Sequence, residues 1–222
     1  MAMANVIVAG GLGILGRGVV AELAARGHKV AVVDFANGAI EGAEVIGGCD
    51  LADEAAVSAA YAKADKALGG IDGLVNVAGG FVWELVDGGS LDSWDRMYRM
   101  NVRTAIASSR AVLHYLKAGS AIVNVGAAAV AAPGAGMAPY TASKAGVAAL
   151  TESLAEELRE KGIRVNAVLP TIIDTPVNRA DMPDADTSSW VKPSSAAKVI
   201  AFLLSQEAAS ITGVGIKLSL AG

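Results

Sequence analysis

Short runs of β-branched and other apolar residues recur along the chain, separated by stretches whose apolar positions follow a helical period. "NVIVAG" (5–10) is the first run, and residues 13–26 carry a helical pattern that closes at Gly27. "KVAVVDF" (29–35) predicts a second strand and "EVIGGCDL" (44–51) a weaker third. An Ala-rich helix is predicted over 53–68, with Asp53 as its N-cap. "GLVNVAGG" (73–80) predicts a fourth strand, 91–117 a helix or helix pair, and "SAIVNVGA" (120–127) a fifth strand. A long helix over 139–161 ends at Gly162, followed by the strand "IRVNAVLP" (163–170), a helix over 195–206 and a last strand, "VGIKLSL" (214–220). Strands of nearly continuous Val and Ile alternating with helices specify an α/β fold. The expectation is a single-domain, Rossmann-type doubly wound sheet spanning 1–222, with about seven mostly parallel strands and helices on both faces.

Composition agrees with that architecture. Of 222 residues, 53% are apolar, and the mean hydropathy of +0.47 is what a sheet buried on both faces requires. The net charge is only −4 and no run of like charges occurs, so no basic stripe for nucleic acid is present. A single cysteine, Cys49, excludes an internal disulfide and fits a reducing, cytoplasmic setting. The amino-terminal segment lacks the basic start and unbroken apolar core of a signal peptide. The uncharged stretch 119–143 is broken by Pro133, Pro139 and several glycines, which argues against a membrane span. A soluble protein with no membrane partner is expected.

Candidate chemistry collects where the predicted strands end. After the first strand, "GGLGILG" turns into the first helix. Gly10, Gly11, Gly13 and Gly16, with Ile14 and Leu15, would bring backbone N–H groups and a helix N-terminus close to a pyrophosphate. Asp34 ends the second strand, placed to accept the hydroxyls of an adenosine ribose, with Phe35 beside it. No Lys or Arg follows in "DFANGA" to receive a 2′-phosphate, so NADH is favoured over NADPH, although Arg17 offsets part of that preference. Asp50 is either an adenine contact or a solvated turn aspartate. Asn76, Ala78 and Gly79 lie in the run that ends the fourth strand, at the sheet edge where such folds bind ligands.

Tyr140 and Lys144 lie four residues apart on one predicted helix face. A tyrosine is a poor acid–base group at neutral pH, and a neighbouring ammonium favours its phenolate. The segment before it, "NVGAAAVAAPGAGMAPYTASK" (124–144), holds no Ser, Thr, His, Cys or carboxylate between Asn124 and Tyr140.

Taken in order, "AGGLGILG", "VVDF", "CDL", "NVAGG", "MNV", "YTASK" and "RVNAVLPTIIDTP" resemble the short-chain dehydrogenase/reductase family along essentially the whole chain. The resemblance implies that Tyr140 exchanges the proton, that Lys144 lowers its pKa and binds ribose, and that Asn101 holds a helix kink and a relay water. It further implies that Asp34, Asp50 and Leu51 bind the adenosine half. The segment 170–175, with Pro170, Ile173 and Thr175, would hold the nicotinamide carboxamide. The family usually has a catalytic serine thirteen residues before the tyrosine; that position is Ala127. One branch lacks the serine by nature, the dihydropteridine reductases. The "GGLGILG" turn and "LPTIIDTPVNRADMPDADTSSW" resemble that branch, although "RMNV" keeps the asparagine of ordinary family members.

The resulting expectation is an NADH-preferring reductase, with Tyr140, Lys144 and Asn101 catalytic and quinonoid dihydropteridine the best substrate guess. Another small carbonyl or imine substrate, or a non-catalytic nucleotide sensor, are the alternatives. Trp83, Ala127, Asn178 and Trp190 are candidate substrate contacts, Trp83 being equally readable as a wedge between loop and helix. His28, His114 and Cys49 read as structural, without metal-ligand spacing. The small apolar residues of 91–117 and 139–161 imply, by the same resemblance, a homodimer or homotetramer.

Overall fold

The protein, described by a computed structural model over residues 4–222, is built on one seven-stranded parallel sheet in the order β3-β2-β1-β4-β5-β6-β7. Residues 1–3, part of the amino-terminal segment considered above, lie outside the described residues. The strands are β1 (Asn5–Ala9), β2 (Lys29–Val33), β3 (Ala43–Ile46), β4 (Gly73–Asn76), β5 (Ala121–Val125), β6 (Arg164–Pro170) and β7 (Gly215–Leu218). Every pairing is parallel, so the expected "mostly parallel" sheet is wholly so. Register brings Ala9 opposite both Val33 and Asn76, and Asn76 opposite Asn124. Strand order reverses between β1 and β4, and the crevice at that switch point is where the glycine-rich turn and "NVAGG" meet.

Alternation along each strand divides the core into two layers. Val6, Val8, Val30, Val32, Val75, Val123 and Val168 face α1 (Ile14–Ala25) and α7 (Pro193–Leu204). Ile7, Val33, Leu74, Ile122 and Val165 face α2 (Glu54–Leu68), α4 (Thr104–Val112) and α5 (Ala138–Leu158). Each such side chain, fully buried, contributes on the order of 1.5–3 kcal/mol. Asp53 caps α2, its carboxylate accepting from Ala56 N at 2.9 Å. The Arg164 guanidinium is buried against the carbonyls of Leu203, Leu204 and Ser205, placing its charge at the negative end of α7.

Two segments depart from expectation. The helix pair over 91–117 resolves into α3 (Leu91–Met97), a π-helical segment Tyr98–Arg103, and α4. The stretch after β6 forms a short helix, α6 (Pro176–Asp181), capped by Thr175. Among the described residues, no helix is long and apolar enough to cross a membrane.

Candidate active site

The glycines of the first turn divide by what surrounds them. Gly10 has φ +84°, and a Cβ there would lie 2.5 Å from Ala78 N; at Gly11 it would meet the γ-carbons of Val32 at 2.8 Å. At Gly16 it would sit 2.4 Å from the Gly10 carbonyl oxygen. These three let turn, helix and sheet approach one another. Gly13 differs: a Cβ there would find only the Gly10 oxygen, at 3.7 Å. Gly13 is the N-cap of α1 with no side-chain cap, so the first-turn N–H groups are left for an outside acceptor. An open cradle lined with uncapped donors fits a dinucleotide pyrophosphate.

Asp34 is held at the rim of that cradle. One carboxylate oxygen accepts from Leu12 N at 2.9 Å and the other from Ala36 N at 3.0 Å. Phe35, 74% exposed, stands beside it, and Ile14 is also exposed. Leu15 and Leu51 point into the core, so whatever they offer a ligand comes from their main chain. Asn76 needs the same correction. Its side-chain amide is buried, donating to Asn124 Oδ1 at 2.8 Å and Ser109 Oγ at 3.2 Å, which ties β4 to β5 and α4 and turns it away from the crevice.

At the other end of the crevice Asn101 is almost wholly buried at the middle of the π segment. Its Oδ1 accepts from Gly80 N at 2.9 Å, and its Nδ2 donates to Gly80 O at 3.1 Å and Ser143 Oγ at 2.9 Å. The extra residue per turn of a π segment lets Asn101 grip the backbone just past β4. A Cβ on Gly79 would lie 2.5 Å from Asn101 Oδ1 and 3.4 Å from Lys144 Nζ, so the Gly79–Gly80 edge runs between these two groups.

Tyr140 and Lys144 share the inner face of α5. Lys144 is buried, donates to Val125 O at 2.7 Å, and burial brings its pKa down to about 8. The Tyr140 hydroxyl is pushed up to about 12, also by burial. The net shift at Tyr140 in the protein alone is therefore upward: the Lys144 ammonium is turned to a carbonyl, and desolvation of the phenol dominates. The Phe81 ring meets the Tyr140 ring edge to face, centroids 5.0 Å apart at 76°. Ala127 is 3% exposed. A Cβ on Gly126 would meet only the movable end of the Leu169 side chain, Cδ2 at 2.5 Å, and neither Gly126 nor Ala128 supplies the missing hydroxyl.

The residues of the segment between β6 and α7, termed the lid, fare unequally. Thr175 Oγ1 accepts from Asn178 N at 3.1 Å, and the Asn178 amide donates to Ile173 O at 2.7 Å, so both are engaged in shaping the lid. Ile173 bridges to Val191, and Pro170 closes β6 opposite Leu218. Trp190 is a correction: at 3% exposure it is buried and presents no surface to a substrate. Trp83 is 61% exposed and lies over Gly136, where a Cβ would be 2.3 Å from the indole. That close fit matches its reading as a wedge. Sequence reasoning missed Phe81, Ser143 and Arg99. Phe81 follows the Gly79–Gly80 pair directly, a position that signals proximity to the site; the other two carry no such signal.

A separate cavity, about 570 Å³, lies elsewhere. It is lined by Leu85, Val86, Trp94 and the α5 residues Ala138, Ala142 and Ala145, on the face of α5 opposite Tyr140 and Lys144. It is therefore not the reaction cleft.

Comparison with known proteins agrees with this geometry. The sequence profile described as short chain dehydrogenase matches residues 4–186. A protein of Xanthobacter autotrophicus named inactive 2-(S)-hydroxypropyl-CoM dehydrogenase 2 is 36% identical over 211 residues, covering 84% of this chain and 91% of that protein. A short chain dehydrogenase from Burkholderia cenocepacia, solved in complex with NADP, superposes with a TM-score of 0.88 at 33% identity, covering 99% and 97% of the two chains. The 3-ketoacyl-(acyl-carrier-protein) reductase of Brucella melitensis, complexed with NADH, gives 0.87 at 28% identity, covering 98% and 96%. The glycine cradle, the Asp34 rim and the Tyr140–Lys144–Asn101 cluster thus lie in an oxidoreductase fold that takes a nicotinamide dinucleotide, and the chain belongs to the short-chain dehydrogenase family.

Proposed function

We propose that the protein is an NADH-preferring reductase of a small, flat, conjugated acceptor, quinonoid dihydropteridine being the best substrate guess. The observation that carries this reading is Ala127. A ketone reductase needs a hydrogen-bond donor on the carbonyl oxygen, and losing one such donor typically costs about 10²–10³ in rate. A conjugated imine already accepts hydride readily and needs chiefly a proton. Tyr140, held neutral by burial against Phe81, is suited to deliver that proton. When bound, the reduced nicotinamide supplies the hydride. The chain's part is to hold the pyrophosphate at the Gly13 turn and the adenosine end at Asp34 and Asp50. Lys144 would bind the nicotinamide ribose, and Asn101 fixes the Gly79–Gly80 edge. The preference for NADH rests on the Asp34 carboxylate and on the lack of Lys or Arg at 35–40.

The same reading takes the chain as one domain carrying both cofactor and substrate sites, working in the cytoplasm as a homodimer or homotetramer. The Brucella melitensis reductase is named for a 3-ketoacyl substrate, so a different small carbonyl compound is the neighbouring alternative. A second reading, a nucleotide-binding protein without turnover, draws on Ala127 and on the relative whose own name calls it inactive.

The deciding assay follows oxidation of NADH, with NADPH in parallel, using freshly generated quinonoid dihydropterin beside a panel of ketones, for the wild type and Ala127→Ser. The expected outcome is saturable pterin turnover with NADH and slow ketone turnover that Ala127→Ser raises by about 10²-fold. Wild-type ketone rates matching the pterin rate would remove the argument from Ala127. Tight dinucleotide binding by calorimetry without turnover of any acceptor would favour the second reading.

A further inference from the structure

The turn that follows β3 and the π segment that carries Asn101 are joined on both sides of the asparagine. Arg99 forms an ion pair with the Asp50 carboxylate. Arg103 Nε donates to the Ala52 carbonyl at 2.7 Å. The two arginines are four residues apart, so they leave the segment on one face, whereas Asn101, midway between them, leaves on the other and reaches Gly80 and Ser143. The gripped turn is itself closed: Asp50 Oδ1 accepts from Ala52 N at 2.9 Å, and Asp53 N donates to Asp50 O at 2.9 Å. Two helical turns further along, Arg110 pairs with Glu54 at 3.0 Å, tying α4 to the start of α2. The segment with the non-standard helical pitch is therefore anchored to the Asp50–Ala52 turn, and Asn101 to the edge of the reaction crevice.

We propose that Arg99 is a positioning residue that transmits occupancy of the adenosine end of the site, at Asp50, to Asn101 and the Gly79–Gly80 edge. The proposal rests on the reading that Asp50 borders the adenosine pocket. A carboxylate has about four acceptor positions. Ala52 N and Arg99 leave room for the exocyclic amino group of an adenine. A ligand that orders Asp50 orders Arg99 with it, and Arg99 is two residues from Asn101. The ion pair is partly solvated, with side chains 54% and 42% exposed, so the coupling is modest, up to about fivefold. Coupling of this kind is reciprocal: what adenosine occupancy does for the π segment, the ordered segment does for adenosine affinity.

Adenosine 5′-monophosphate separates the possibilities, because it has no nicotinamide half with which to touch Tyr140 or Lys144. Its binding is measured by calorimetry on the full chain, wild type and Arg99→Ala, with Arg99→Lys as the conservative variant. Backbone hydrogen exchange over 79–81 and 98–103 is then followed at saturation with the nucleotide. The expected result is slowing of exchange in both segments of the wild type by about two- to fivefold, little slowing in Arg99→Ala, and partial recovery in Arg99→Lys. Equal slowing in wild type and Arg99→Ala would overturn the coupling while leaving the adenosine pocket in place. Failure of the nucleotide to bind the wild type would overturn the pocket itself and the proposal with it. Exchange in the free proteins shows whether Arg99→Ala has disturbed the fold.

Discussion

Lys144 carries a positive charge into a site that offers it one carbonyl and little water. Its pKa of about 8 against an ordinary 10.5 makes this a stability statement. Between pH 8 and 10.5 the unfolded chain still holds the lysine proton and the native protein has released it, so stability rises with pH across that window. Tyr140 acts in the opposite sense, but only above its ordinary value of 10, where the unfolded state ionises first. From pH 8 to about 10 the rise belongs to Lys144 and amounts to no more than about 3 kcal/mol. Denaturant unfolding of the free protein at pH 7.5 and 9.5, compared between wild type and Lys144→Met, measures it. The wild type should gain stability at the higher pH and the variant should lose that differential gain. An identical pH response in both would show that the ammonium is already compensated. The same balance bears on function: a phenol held near 12 stays protonated and fits donation of a proton better than its removal.

At the level of elements, the first turn separates glycines that pack from the one that opens a site. Gly16→Ala would force a methyl to within 2.4 Å of a backbone oxygen, which cannot yield as a side chain would. It should destabilise the fold by about 1–3 kcal/mol, the usual cost of overpacking. Gly13→Ala meets nothing nearer than 3.7 Å, and its φ of −69° suits any residue, so the melting temperature should hardly move. The added methyl lies instead in the pyrophosphate cradle and should weaken NADH binding by about tenfold or more, some 1.4 kcal/mol. Thermal melts and calorimetry on both variants test the separation; a Gly13→Ala protein with unchanged NADH affinity would place the phosphates elsewhere. The glycine pattern and the Val-rich strands were legible because each follows from a local rule. The π segment was not, since one extra residue in a helical turn leaves no trace in hydrophobic period. Arg99, Arg103 and Ser143 acquire their partners only through it. Trp190 misled for a related reason: a tryptophan in a polar segment looks like a ligand wall until the tertiary structure shows it buried.

At the scale of the whole molecule, both sheet faces are covered by helices, yet one group of apolar residues stays exposed away from the reaction crevice. Leu85, Val86 and Leu91 are exposed beside Trp94, and with Ala138, Ala142 and Ala145 of α5 several of them line the cavity on the side away from Tyr140. The small residues leave the α5 backbone accessible to close packing, and apolar surface grouped in this way marks an interaction face. Self-association through α5 and the 85–94 segment would cover it and would brace the helix that carries Tyr140 and Lys144. Ala145 is exposed on this face, so Ala145→Arg costs the isolated chain little, whereas in a two-fold contact it would set like charges and long side chains against each other. Light scattering coupled to gel filtration should find the wild type as a dimer or tetramer and Ala145→Arg reduced in mass, with its thermal stability becoming independent of protein concentration. A wild type that runs as a monomer at micromolar concentration would remove self-association from the account, and the apolar face would then call for a different partner.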